Sequence, residues 1–143
     1  MLQYLKHDPP DYVLFTLGLH DTPLPITPEI YGSNLKWLFG LLTSVFDASQ
    51  LFFMAATPVN KKLQPEKYHA VTPNDKNFAF NMQALQLSLD NGIAFIDVFP
   101  LLQLPYYQQF YNDGIHQKGQ SAIFYKMWTS LILSVVCGHT RLP

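Results

Sequence analysis

Three short runs of β-forming apolar residues alternate with stretches of helical periodicity, and this order constrains the fold more than any other feature. The runs are DYVLFTLG (residues 11–18), QLFFMAAT (residues 50–57) and IAFIDVF (residues 93–99). Proline or glycine borders each run, as is typical of buried strands that end in turns. The links between the runs are too long for hairpins, which favours parallel pairing through right-handed crossovers. We therefore predict an α/β fold, a three-layer αβα sandwich around a parallel sheet.

The segments between and after the runs predict three helices. The first covers about residues 34–46 and has Ser33 as its N-cap. The second ends at Asn91-Gly92, because glycine suits the left-handed stop of a helix. Its apolar positions predict an inward face that consists of Phe78, Met82, Leu85 and Leu89.

Two polar or proline-rich segments and a last helix complete the expected secondary structure. Residues 61–73 are predicted to be a polar loop and are a candidate lid. Residues 100–111, with two prolines and three tyrosines, are predicted to be a second loop. The last helix is expected from Lys118 onward.

Composition narrows the classes of protein to which the chain can belong. A chain of 143 residues that is 48% hydrophobic is long enough for one domain with a core. The formal net charge is −1 and the basic residues are scattered, so nucleic acid is not an expected partner. The single cysteine, Cys137, cannot form an internal disulfide. The most apolar stretch, residues 127–137, is far shorter than the roughly 20 residues that span a bilayer.

A carboxylate and an imidazole stand three residues apart in YNDGIHQKG, directly before the last predicted helix. Asp113 can hydrogen-bond one nitrogen of His116, which fixes the tautomer and leaves the other nitrogen free to take a proton from a serine hydroxyl. The alternative is that Asp113 only caps a turn in a polar loop. The five histidines of the chain are dispersed, and no pair has the spacing of a zinc-binding helix, so no metal site is expected.

A second group of polar residues follows the first predicted strand. Gly18, Leu19, His20 and Asp21 come directly after the run, in a loop at the end where α/β sheets place their sites. An imidazole N–H in the correct tautomer can donate a hydrogen bond to an oxyanion. The alternative for His20 is an ordinary histidine of a surface loop.

Taken in order, DYVLFTLGLHD, NFAFNMQALQLSLDNGIAFIDVFPLL and YNDGIH resemble the later part of an SGNH-type (GDSL-like) esterase or acyltransferase domain. The resemblance implies a flavodoxin-like sandwich and acyl transfer through a serine, without a metal or cofactor. It implies that Asp113 and His116 are the catalytic acid–base pair, and that Gly18, His20 and Asp21 lie at the oxyanion or substrate site. His20 stands where the family has asparagine.

The family's G-D-S motif has no counterpart in this chain, and no serine stands in a G-x-S-x-G setting. The serines are Ser33, Ser44, Ser49, Ser88, Ser121, Ser130 and Ser134. We therefore expect residues 1–143 to be a single domain that is incomplete at its N-terminus, with the nucleophile outside this chain. The expected substrate is a small-molecule or glycan ester, and an exposed sheet edge could associate with another chain. The alternative is a shortened domain that binds a glycan or a protein without turnover. The compartment stays undetermined.

Overall fold

The structure is a computed structural model that describes residues 9–60, 62–63, 72–111, 113, 116 and 122–139. The order of elements is strand, helix, strand, helix, strand, two short helices and a long helix. Their bounds are β1 (Val13–Phe15), α1 (Pro28–Thr43), β2 (Leu51–Met54), α2 (Pro73–Asp90), β3 (Ala94–Ile96), α3 (Phe99–Gln103), α4 (Pro105–Gln108) and α5 (Ala122–His139). A short 3-10 helix, Ala48–Gln50, leads into β2.

The three described strands form a parallel sheet in the order β1-β2-β3. Leu14 pairs with Phe52 across the first ladder, and Phe53 pairs with Phe95 across the second. The two crossovers contain α1 and α2. The predicted α/β fold with a parallel sheet is therefore confirmed.

Both faces of the sheet are covered by helices, as the side chains of β2 show. Leu51 and Phe53 belong to a core cluster with buried residues of α1 and α2. Phe52 and Met54 point to the opposite cluster, which contains residues of α3 and α5. All four β2 side chains are buried because successive residues of a strand face opposite sides. The sheet is thus the middle layer of an αβα sandwich.

The strands are shorter than the sequence predicts. Residues 55–57 were expected to continue the second strand, yet β2 ends at Met54. Residues 55–60 remain buried, but much of their backbone hydrogen bonding is to asparagine side chains of α2 instead of to a neighbouring strand.

The first helix begins at Pro28, six residues before the predicted start, and Ser33 does not cap it. Thr27 is the N-cap, and its hydroxyl accepts a hydrogen bond of 3.3 Å from the backbone N–H of Ile30. Proline is well tolerated at the first helical position, where its missing N–H has no partner to lose. Ser33 lies within the helix, where its hydroxyl donates to the carbonyl of Glu29.

The inward face of α2 is not the predicted one. Phe78 and Leu89 are 55% and 66% exposed, and Met82 is exposed as well. The buried residues of the helix are Pro73, Asn77, Phe80, Asn81, Ala84 and Ser88. The prediction was wrong because two asparagines face the core, where they pair with the backbone of the segment after β2.

Other predicted boundaries had mixed outcomes. The stop at Asn91-Gly92 is confirmed, and Gly92 has a φ of +68°, which favours glycine. The segment predicted as a loop at 100–111 instead contains α3 and α4. The last helix begins at Ala122, and Lys118 lies outside the described residues. Most of the candidate lid, residues 61–73, also lies outside them.

Candidate functional site

Asp113 and His116 form a hydrogen-bonded pair. Nδ1 of His116 lies 2.8 Å from Oδ2 of Asp113, and the backbone N–H of His116 donates a second bond of 2.8 Å to Oδ1. The two side chains are 46% and 65% exposed, so the pair contributes little to stability. What the pair does is orient the ring: Asp113 occupies Nδ1, and no described residue hydrogen-bonds to Nε2.

The chain that leads into this pair is anchored at a buried tyrosine. Tyr111 is fully buried, and its hydroxyl donates a hydrogen bond of 2.6 Å to the carbonyl of Pro58. Nδ2 of Asn60 donates to the carbonyl of Gln108 at 2.8 Å. These two bonds attach the segment before Asp113 to the buried segment after β2. The sequence predicted only a loop for the segment that contains Tyr111, because the partner of its hydroxyl is distant in sequence.

The loop after β1 is a compact series of turns around Gly18. Gly18 is buried, has a φ of +109°, and its carbonyl accepts a hydrogen bond from the N–H of Asp21. The hydroxyl of Thr22 contacts the same carbonyl and Oδ1 of Asn77. Nζ of Lys76 donates to the carbonyls of Thr22 and Leu24. Side chains of helix α2 therefore hold this loop in place.

The two loops bring His20 and His116 together. Their ring centroids are 6.4 Å apart, with an angle of 41° between the ring planes. The sequence predicted both as site residues, and the structure places them side by side with Asp113. Asp21 lies elsewhere, in the lining of a separate depression with Tyr31.

Three asparagines of α2 form a ladder that sequence analysis missed. Oδ1 of Asn81 accepts from the N–H of Ala56 at 2.8 Å, and its Nδ2 donates to the carbonyl of the same residue at 3.0 Å. Asn74 pairs with Val59 in the same two-sided way, at 2.7 and 3.1 Å. Asn77 donates to the carbonyl of Thr57. The signal in the sequence is the spacing of the three asparagines, which puts them on one side of a helix.

Two depressions adjoin the loops of the site. One, of about 310 Å³, is mostly apolar and lies between α1 and the loop after β1, with Leu17, Asp21 and Trp37 in its lining. Burial is the main cause that raises the pKa of the Tyr31 phenol in this lining, and the Asp21 carboxylate adds to the effect. The other depression, of about 860 Å³, lies between residues 59–60 and 62–63, the start of α2 and the segment 103–111.

None of the described serines for which a contact is known makes that contact with His116. The hydroxyls of Ser44 and Ser134 donate to helical carbonyls, as that of Ser33 does. Ser88 is fully buried, and its hydroxyl is the buried side-chain atom without a partner in the described part of the chain. None of these serines hydrogen-bonds His116.

Within the described residues, no group of three or more His, Cys, Asp or Glu side chains could hold a metal ion. None of the described helices combines the length and the apolarity that crossing a bilayer requires.

Comparison with solved structures identifies the fold. The lipase/acylhydrolase from Enterococcus faecalis superposes with a TM-score of 0.70 at 18% identity, over 96% of this chain and 68% of that one. A protein from Streptococcus pneumonia superposes with a TM-score of 0.74 at 16% identity, over 95% of this chain and 68% of that one. The third structure is LAE5, an alpha/beta hydrolase enzyme from the metagenome of Lake Arreo, Spain. It superposes with a TM-score of 0.65 at 15% identity, over 96% of this chain and 68% of that one.

No family model matches the sequence, and no curated protein matches it either. At these identities the structural likeness establishes the fold alone, which the chain shares with these three solved structures. The chain spans about two thirds of the length of each of these neighbours.

Proposed function

We propose that residues 1–143 form part of an SGNH-type ester hydrolase or O-acyltransferase domain that uses a Ser-His-Asp mechanism, with the serine outside this chain. The observation that carries the proposal is the contact of 2.8 Å between Nδ1 of His116 and Oδ2 of Asp113. An imidazole held in this way has one defined tautomer and one basic nitrogen, Nε2. The substrate is a small-molecule or glycan ester, and no metal or cofactor takes part.

In the proposed mechanism His116 accepts a proton from the serine and then donates it to the leaving alcohol. Nε2 takes the proton of the serine hydroxyl while the serine oxygen attacks the ester carbonyl. The bond to the alcohol then breaks, the alcohol leaves with the proton from Nε2, and an acyl-serine remains. Water or an acceptor hydroxyl attacks this acyl group in the same way, which restores the serine. Asp113 stabilises the imidazolium that forms in each step.

His20 is the proposed donor to the oxyanion that develops on the carbonyl. The centroid of its ring lies 6.4 Å from that of His116, so a substrate carbonyl beside one ring would also be near the other. Gly18 and Asp21 belong to the same loop, where Gly18 supplies the positive φ on which the turn depends. Two of the structural neighbours are a lipase/acylhydrolase and an alpha/beta hydrolase, which supports ester chemistry as the proposed activity.

The alternative is a domain that binds its ligand without turnover. Two observations favour this alternative: an imidazole replaces the amide at the proposed oxyanion position, and no described serine hydrogen-bonds His116. Under this alternative, His116→Ala leaves ligand binding intact.

The proposal also includes association through the edge of β1. Within the described residues β1 pairs only with β2, and Leu14 is 41% exposed on that strand. Unpaired strand edges with apolar side chains are surfaces where another strand can add. Sizing of the purified chain tests this part, since a monomer at every concentration would contradict self-association.

Fluorophosphonate labelling tests the catalytic proposal. The polypeptide that carries this sequence is isolated from its source by an antibody, labelled, digested and mapped by mass spectrometry, beside its His116→Ala variant. We expect the label on a serine outside residues 1–143, and we expect its loss in the variant. A label on a serine inside the chain would overturn the assignment of the nucleophile. An unlabelled but folded protein, or labelling that His116→Ala leaves unchanged, would overturn the catalytic role of His116.

A further inference from the structure

Amide side chains form much of the lining of the depression of about 860 Å³. Five of its described lining residues carry them: Asn60, Asn74, Gln103, Gln108 and Gln109. Its volume falls in the range of roughly 300–1,000 Å³ that small-molecule sites occupy. The walls come from three different parts of the chain, so the cleft exists only in the folded protein.

Two of the amides make the cleft walls rigid. Asn74 uses both ends of its amide on the backbone of Val59. Asn60 donates to the carbonyl of Gln108 at 2.8 Å and accepts from the N–H of Lys62 at 3.0 Å. Because both walls are joined by these bonds, the cleft is pre-formed and a ligand would not have to order it.

The other amides remain free to bind a ligand. Gln103 and Gln109 are exposed, and no described residue hydrogen-bonds to the side chain of either. Nε2 of Gln108 donates to the carbonyl of Leu102, which leaves its Oε1 as an acceptor. An amide both donates and accepts, as a hydroxyl does, so amides match ligands that carry several hydroxyl groups.

The charged residues of the described lining balance each other. Among the described residues, the lining contains one carboxylate, Asp75, and one ammonium group, Lys62. Their formal charges cancel, so this part of the lining carries no net charge that would attract an anion or a cation. Leu63, which is 47% exposed, and Pro105 add apolar surface, against which the C–H groups of a sugar ring can pack.

The cleft also adjoins the candidate catalytic loop. Tyr111 contributes to its floor and precedes Asp113 by two positions. The hydrogen bond from Asn60 reaches the same segment through Gln108. A ligand in the cleft would therefore lie beside the loop that holds Asp113 and His116.

We infer that this cleft binds an uncharged polyhydroxylated ligand, a mono- or disaccharide unit. The binding itself does not depend on catalysis. Its role as the site for the alcohol part of a sugar ester rests on the proposed function. Under the non-catalytic alternative, the same cleft is the binding site.

Saturation-transfer NMR and calorimetry with cellobiose and N,N′-diacetylchitobiose test the inference on the full chain. We expect at least one of the two disaccharides to bind, and sodium octanoate not to compete for the site. The double variant Gln103→Leu and Gln109→Leu should weaken binding about tenfold, which corresponds to about 1.4 kcal/mol, because two polar contacts to the ligand are lost. Gln86→Leu, on the exposed surface of α2, is the matched control and should bind as the unaltered chain does.

Two results would overturn the inference: no transfer to either disaccharide from a folded sample, or unchanged affinity in the double variant. His116→Ala separates this inference from the catalytic proposal. If the variant binds disaccharide normally while fluorophosphonate labels no serine of the unaltered protein, the cleft assignment stands and the esterase proposal fails. If labelling depends on His116 but no disaccharide binds, the esterase proposal stands and the cleft assignment fails.

Discussion

The hydroxyl of Tyr111 and the carbonyl of Pro58 are joined by a hydrogen bond of 2.6 Å in the interior of the protein. One partner follows β2 and the other leads into Asp113. The bond therefore fixes the distance between the buried segment after the central strand and the loop that holds the acid–base pair.

Tyr111→Phe should destabilise the protein by about 1–3 kcal/mol, because it leaves the Pro58 carbonyl without this buried partner. Urea unfolding followed by circular dichroism measures the change. Tyr106→Phe, at a position that is 53% exposed, is the control and should be nearly neutral. Equal effects of the two substitutions would show that the buried bond adds no stability.

Asn81→Leu should cost about 2–4 kcal/mol, since it removes the partner of both the N–H and the carbonyl of Ala56. The added apolar volume cannot compensate for two buried backbone groups without partners. Thermal and urea unfolding report the loss. Asn34→Leu, on the exposed surface of α1, should change stability little, and a comparable loss there would contradict the explanation.

Two glycine-to-alanine substitutions should change the free energy of unfolding in opposite directions. At Gly18 the φ of +109° is strained for alanine, and the new Cβ would lie 3.3 Å from the Tyr31 hydroxyl, so we expect a loss of about 1–3 kcal/mol. At Gly40, inside α1, a Cβ would meet nothing within 4 Å, so we expect a gain of up to about 1 kcal/mol. Unfolding midpoints of both variants check the signs, and a stabilised Gly18→Ala would refute the conformational argument.

Alkaline pH should destabilise the protein through Tyr31. Burial is the main cause that raises the pKa of its phenol above the ordinary value of 10.0, so the folded state holds a proton that the unfolded chain releases. The contribution of this bound proton to the free energy of unfolding is fully present below pH 10.0 and falls as the pH rises above that value. Tyr31→Phe should flatten the decline in urea midpoints between about pH 9 and 11. A decline that is unchanged in the variant would exclude Tyr31 as its source.

Some parts of the site could be predicted because their signals are local. Asp113 and His116 are three residues apart, so one turn brings them together whatever the rest of the fold does. The apolar strand runs have a clear length and clear borders, and β2 appears within the predicted run. The contact between His20 and His116 links two loops that are far apart in sequence, and only the resemblance of both motifs to one family indicated that they share a site.

Other parts were hidden because polar side chains face inward. Helical periodicity assumes that the buried face is the apolar one, and in α2 Asn77 and Asn81 break that assumption. The start of α1 was missed because the helix was predicted to begin only after Ser33, although the first helical position accepts proline and Pro28 occupies it. Neither the partner of the Tyr111 hydroxyl nor the amide-lined cleft has a counterpart in local sequence.

The asparagine ladder has a consequence for how α2 is oriented on the sheet. Phe78, Met82 and Leu89 are exposed, so burial of these apolar side chains does not decide which side of the helix faces the core. Turning the helix about its axis to bury them would withdraw Asn81 and Asn77 from the backbone of residues 56 and 57 and leave buried polar groups without partners. The orientation of α2 therefore depends on polar pairing between two parts of the same molecule as well as on the burial of its apolar side chains.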